Sequence, residues 1–171
     1  LILGAGASAL TLGRMLKEAG LSCLLIEKSR GLGGRIATRR FEDGFWNHGI
    51  SEITLNDFPS NFPEPWKSFA PSSLEPATQF AKHLANSLDI LRGVKIIHLD
   101  YDAASSCWKA RSEEGQTFKA RAFISTAPLP QTCDLLQASG MYEVLDPQKR
   151  LSQVRYFKQL IFLTQAIQTG D

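Results

Sequence analysis

Three apolar residues, Leu1-Ile2-Leu3, run directly into Gly4-x-Gly6-x-x-Ala9, and no other feature restricts the chain as much. An apolar run ended by glycines reads as a strand closed by a tight turn. Beyond it Ala9, Leu12, Leu16 and Ala19 recur at helical spacing. Gly20 stands where a helix ends in a left-handed residue, and Ser22-Cys23-Leu24-Leu25-Ile26-Glu27 then reads as a strand buried in a parallel sheet. Residues 1–27 therefore predict one βαβ unit, and an α/β, Rossmann-like fold is expected.

Each small residue of the turn has a physical task. Gly4 permits the turn, Gly6 lets backbone approach a pyrophosphate, and Ala9 keeps the helix near the strand. Unpaired N–H groups and the dipole at the helix start favour an anion there. Glu27 follows Ala9 by eighteen residues, at the end of the second strand, where a carboxylate accepts both ribose hydroxyls of an adenosine and repels a 2′-phosphate. A purely structural βα turn is the alternative. Ser8 is expected to cap the helix or donate to a phosphate oxygen. Gly6-x-Ser8 also opens like a hydrolase nucleophile elbow, but residue 10 is Leu where that motif needs Gly.

Residues 28–40 hold five basic side chains and no acid, around Gly31-Leu32-Gly33-Gly34-Arg35. Exposed glycine N–H groups beside a guanidinium suit a second pyrophosphate contact. A solvated basic loop is the bland alternative. A nucleic-acid surface would need aromatic platforms or a basic helix, and the segment has neither.

The run Gly4-Ala5-Gly6-Ala7-Ser8-Ala9, with Glu27-Lys28, Arg30-x-x-Gly33-Gly34-Arg35-x-x-Thr38, Asp43-Gly44-Phe45 and His48-Gly49, resembles the N-terminal half of FAD-dependent oxidoreductases of the flavin amine oxidase type, nearest the bacterial renalase-like branch. The resemblance implies FAD as a tightly held cofactor. Its ADP part would be held by Gly4, Gly6, Ser8, Ala9, Glu27 and Lys28, and its pyrophosphate by Gly33, Gly34 and Arg35. Gly49 and Ile50 would pass near the flavin, with His48 beside them, Ile96 would lie against the adenine, and Thr126 and Ala127 would approach the cofactor. It further implies hydride transfer to flavin from a small reduced substrate, an amine or a dihydronicotinamide such as NAD(P)H. Because the flavin performs that chemistry, no catalytic residue is assigned. An NAD-binding dehydrogenase domain and a non-catalytic dinucleotide-binding remnant are the competing readings.

The likeness is strongest over residues 1–49 and weaker over 76–133, which are expected to form the dinucleotide-binding domain. Pro76–Leu88 reads as a helix, 93–99 as a strand, 108–111 and 118–121 as a hairpin across Glu114-Gly115, and 122–128 as a buried strand. Between them, residues 50–75 contain Pro59, Pro63, Pro65 and Pro71 and read as irregular loop. Residues 134–171 are expected to begin a substrate domain that is reduced or incomplete, since the family's late glycine-acid motif has no counterpart after Val154. Asn47 stands where the family usually has Asp, and Ile50-Ser51 where Ala-Gln commonly follows the glycine.

The whole chain adds exclusions. At 171 residues it suits one domain of about 100–200 residues. Lys and Arg number 19 against 17 Asp and Glu, so a net +2 gives no reason to expect a polyanion or membrane partner, and the partner expected is a small-molecule substrate. The longest apolar stretch, Leu160–Leu163, is far below the roughly 20 residues of a membrane span. Cys23, Cys107 and Cys133 have neither disulfide nor zinc spacing, which fits a cytoplasmic setting. His48, His83 and His98 are too far apart in sequence for a helical metal pair.

Overall fold

The computed structural model describes residues 1–42, 44–47, 49, 76–146 and 150–156. Four strands form a parallel sheet in the order β5-β2-β1-β9: β1 is Ile2–Leu3, β2 is Leu24–Glu27, β5 is Asp89–Arg92 and β9 is Ile124–Ser125. Ile2 is in register with Leu25 on one side and Ile124 on the other. From β1 the chain moves outward to β2 and β5, then returns to place β9 on the opposite flank of β1. That reversal leaves a crevice above the carboxyl ends of β1 and β9, where doubly wound sheets bind ligands.

Helix α1 (Ala7–Glu18) links β1 to β2. It ends as the sequence predicts: Gly20 has φ +74°, its N–H reaches Lys17 O at 2.9 Å, and Leu21 N–H reaches Leu16 O at 2.8 Å. Helix α2 (Thr78–Ala85) lies inside the predicted 76–88 segment. Its Phe80, Ala81 and Leu84, with Ala77 and Leu88, pack beside Ile2, Ala9, Leu10 and Leu25 in one core.

A second core lies against the other face. Strands β6 (Ile96–Asp102), β7 (Cys107–Ser112) and β8 (Thr117–Ala120) form an antiparallel meander, backed by α3 (Leu129–Ala138). Ile26, Leu99, Ala110, Leu135 and Leu136 are buried there, with the Trp108 ring tilted against Tyr101 and Phe123 at centroid distances of 5.3 and 6.1 Å. Ser139 ties helix to meander, accepting Leu99 N–H at 2.8 Å and donating to Leu135 O at 2.7 Å. A short helix, α4 (Tyr142–Leu145), and a 3-10 turn (Leu151–Gln153) follow, the turn held by buried Asp146, whose carboxylate accepts the N–H groups of Arg150 and Leu151.

Several expectations change here. Residues 122–128 do not form a buried strand: β9 has two residues at the sheet edge, and Ile124 is 39% exposed. The basic segment is not all loop, since β3 (Thr38–Phe41) and β4 (Gly44–Asn47) pair as a hairpin. Strand β5 has no counterpart among the predicted elements. The boundary expected after residue 133 falls within α3, whose Leu135 and Leu136 belong to the second core. The Pro-rich stretch 50–75 lies outside the described residues. Among the described residues, no helix is long and apolar enough to cross a membrane.

Candidate functional site

The glycine turn sits at the mouth of the crevice. Gly4 continues the ladder, donating to Ile26 O at 2.8 Å with φ +107°. A Cβ on it would stand 2.7 Å from Thr126 Oγ1, a hydroxyl that donates to Leu3 O at 2.9 Å. Ala127 N lies 3.7 Å from the same point, so Thr126 and Ala127 lie against the turn. Gly6 is the N-cap of α1 and faces open space: the nearest atom to an added Cβ is Gly33 O at 3.9 Å. Ser8 does not cap the helix; it is exposed in the first turn, and the cap position is glycine. The first-turn N–H groups thus lack side-chain capping and intrahelical partners, with no acid in that turn to offset the dipole. Ala9 is fully buried against the sheet.

Glu27 holds the first glycine turn and the start of the basic segment. Its Oε2 accepts Ala5 N–H at 2.8 Å and its Oε1 accepts Ser29 N–H at 2.7 Å. Each oxygen keeps further lone-pair capacity for a hydroxyl donor. Gly33 N–H donates to Ala5 O at 2.8 Å, and Gly6 and Gly33 form a parallel bridge. A Cβ on Gly33 would meet Ile36 O at 2.7 Å, and one on Gly34 would meet Gly6 Cα at 3.2 Å. The two clusters, 27 residues apart in sequence at Gly6 and Gly33, therefore form one continuous backbone surface. Arg35 is exposed beside it, and Gly49 lies so close to the Arg35 carbonyl that a side chain there has no room.

Other expected site residues lie elsewhere. Lys28 Nζ reaches Gln131 Oε1 at 2.9 Å, joining the end of β2 to the first turns of α3. Ile96 does not face the crevice; it is 7% exposed and packed in the second core. The position beside the acid is Val94, whose N–H donates to Glu27 O at 3.0 Å, and sequence reading missed it because strand periodicity does not show where a strand leaves the sheet. Ile50 and His48 lie outside the described residues.

Asn47 has a structural task. Its Oδ1 accepts the Thr38 hydroxyl at 2.7 Å and Ala77 N–H at 2.9 Å, while Thr38 Oγ1 accepts Thr78 N–H at 3.2 Å. The hairpin therefore caps the start of α2, and the two bonds to Asn47 Oδ1 use an oxygen that Asp would also supply. Among the described residues no group of three His, Cys, Asp or Glu side chains is placed to hold a metal.

Comparison with known proteins gives the same picture. Residues 2–69 match the family model of the NAD(P)-binding Rossmann-like domain. Over 135 residues the chain is 28% identical to the FAD-binding monooxygenase acrE of Aspergillus aculeatus, a match covering 74% of this chain and 22% of that protein. Among solved structures it superimposes on an oxidised steroid monooxygenase bound to NADP (19% identity, TM-score 0.57, 74% of this chain and 25% of that one). A closed cyclohexanone monooxygenase gives 15% identity and a TM-score of 0.58, covering 75% and 25% of the two chains. The chain thus spans about a quarter of the length of these relatives. Its sheet order, its crevice and the family match to its opening segment establish an α/β, Rossmann-like dinucleotide-binding fold.

Proposed function

We propose that the crevice binds FAD and that the chain supplies the FAD-binding part of a flavin-dependent oxidoreductase of the monooxygenase kind. The observation that carries this reading is the joining of the two glycine clusters, through the Gly33–Ala5 bond and the Gly6–Gly33 bridge, beside Glu27 and an uncapped helix start. The residues fit the group: Gly6 leaves an opening that a side chain would fill, and Gly34 is exposed next to it. Gly6 and Gly34 admit the pyrophosphate to backbone N–H groups, Arg35 neutralises its charge, and Glu27 accepts the ribose hydroxyls. When bound, FAD supplies two-electron redox chemistry that no side chain of the chain offers. The second glycine cluster favours FAD over NAD as the resident nucleotide. The relatives include a monooxygenase bound to NADP, which supports a nicotinamide as the reductant.

A second reading keeps the same cofactor and changes the substrate: hydride transfer from an amine or a dihydronicotinamide, as the Gly33-Gly34-Arg35 and Gly49 pattern suggests. The named relatives favour the monooxygenase reading. Purified protein should be yellow, and heat should release FAD. Glu27→Ala and Arg35→Ala should each weaken retention about tenfold, the worth of a charge-assisted hydrogen bond of about 1.5 kcal/mol. A colourless protein that ignores added FAD and binds NAD would overturn the proposal. Flavin reduced by NADPH and reoxidised with oxygenation of a ketone favours the first reading; flavin bleached by an amine favours the second.

A further inference from the structure

On the side of α2 away from the glycine clusters lies a groove of about 460 Å³ lined by Arg40, Gln79, Lys82, His83 and Asn86. Its described lining contains two permanent cations, an imidazole and two carboxamides, and no carboxylate. Arg40 comes from β3 and the other four from α2 and its C-terminal cap. The hairpin is fixed to the start of that helix through Thr38 and Asn47, so the two walls are held in place.

The cations of α1 stand behind it. Arg14 Nη1 donates to His83 O at 3.2 Å, and Lys17 Nζ donates to Ser87 O, so both are committed to carbonyls at the end of α2. Arg40 and Lys82 have no hydrogen bond or ion pair among the described residues. Two exposed, uncommitted cations facing one concave surface, with further positive charge behind, produce a field that only an anion relieves. A guanidinium, an ammonium and neighbouring amide donors suit a group with several acceptor oxygens and more than one charge.

We infer that the Arg40–Lys82–His83 groove is a binding site for a phosphate group, separate from the dinucleotide crevice. The groove is wide open to solvent, so an organic group attached to the phosphate can extend outward from it. An exposed site of this kind binds at about millimolar strength. Burial, and then the nearby Arg14 charge, lower the His83 pKa, so its imidazole is a sensitive reporter of a neighbouring anion.

Inorganic phosphate titrated into the full chain, followed by NMR of the His83 ring, tests the site. The expected result is a saturable shift, weakened at least fivefold in Lys82→Ala and in Arg40→Ala, retained in Lys82→Arg, and unchanged in Arg35→Ala. Glycerol 3-phosphate separates the two sources of the group: binding at least as tight as the free ion's points to a phosphorylated small molecule, and tenfold weaker binding to the ion alone, and either outcome upholds the site. A shift that does not saturate, that chloride reproduces at equal ionic strength, or that survives in Lys82→Ala and Arg40→Ala overturns it. A phosphate response at His83 that disappears in Arg35→Ala overturns its separateness from the crevice.

Discussion

Leu25 and Ile26 are neighbours in β2 and both fully buried, yet they enter different cores. Leu25 points to the helical face, where Ala5, Ala9, Ala77 and Ala81 keep backbones close and a Cβ on Gly13 would stand 3.1 Å from both Leu25 Cδ1 and Leu88 Cδ1. Ile26 points to the meander face, filled by Trp108, Phe118 and Phe123 with leucines. The small-residue face lets α2 approach the second glycine cluster, as Ala81 Cβ would be 3.0 Å from a Cβ on Gly33. The aromatic face makes no such approach and serves as a support. Close packing is therefore concentrated on the face that shapes the crevice.

The comparison breaks most readily at β2 itself. Leu25→Ala should cost near the top, and Ile26→Ala nearer the bottom, of the range of about 2–5 kcal/mol for such deletions, because side chains can relax into the second cavity and helix backbones cannot close the first. Urea unfolding of the two variants measures the difference, and the opposite order would show that the faces do not differ in this way. Next in size is the hairpin cap. Asn47→Ala should lose about 1 kcal/mol and Asn47→Asp less by the same assay, whereas an equal loss in both would remove the oxygen-acceptor account.

Gly13→Ala sharpens the contrast further. Alone it should be nearly neutral, with a helix-propensity gain of about 1 kcal/mol offset by crowding of Leu25 and Leu88. In a Leu25→Ala background the crowding falls, and the same change should become stabilising, which a double-mutant cycle detects. The smallest effect is on the exposed side of the meander. The Lys109 ammonium, 2.9 Å from Asp102, is the main cause holding that carboxyl at about 2, below its ordinary 3.8. Its contribution is therefore complete above pH 3.8 and lost as pH falls through about 2. Asp102→Asn should lower neutral-pH stability slightly and converge with the parent below about pH 2, which flattens the acid end of the stability profile.

Much of the helical face was legible in the chain. The stripes Ala9, Leu12, Leu16 and Ala77, Phe80, Ala81, Leu84 follow helical spacing, and their faces are the ones buried. Glu27 and the glycines were legible because each needs a particular residue type at a particular step from the strand. Strand β5 was not: Asp-Ile-Leu-Arg has two apolar residues, and its place comes from pairing with β2. The β3–β4 hairpin was hidden by its charge, since Thr-Arg-Arg-Phe shows no alternation and its pairing is secured through Thr38 and Asn47. Ile96 was misplaced because spacing reports a strand's two faces without saying what either one meets.

By itself the sequence determined the βαβ unit, its glycine turn, the terminal acid and the left-handed stop at Gly20, all of which depend on local backbone geometry and on contacts within about thirty residues. Only the tertiary structure decided that the Gly33 amide joins the two glycine clusters, that Thr126 fills the space beside Gly4, and that Arg40 and Lys82 share one groove. These pairings join residues far apart along the chain. They follow from the strand order and from the packing of α2 under the hairpin, which local preferences do not encode.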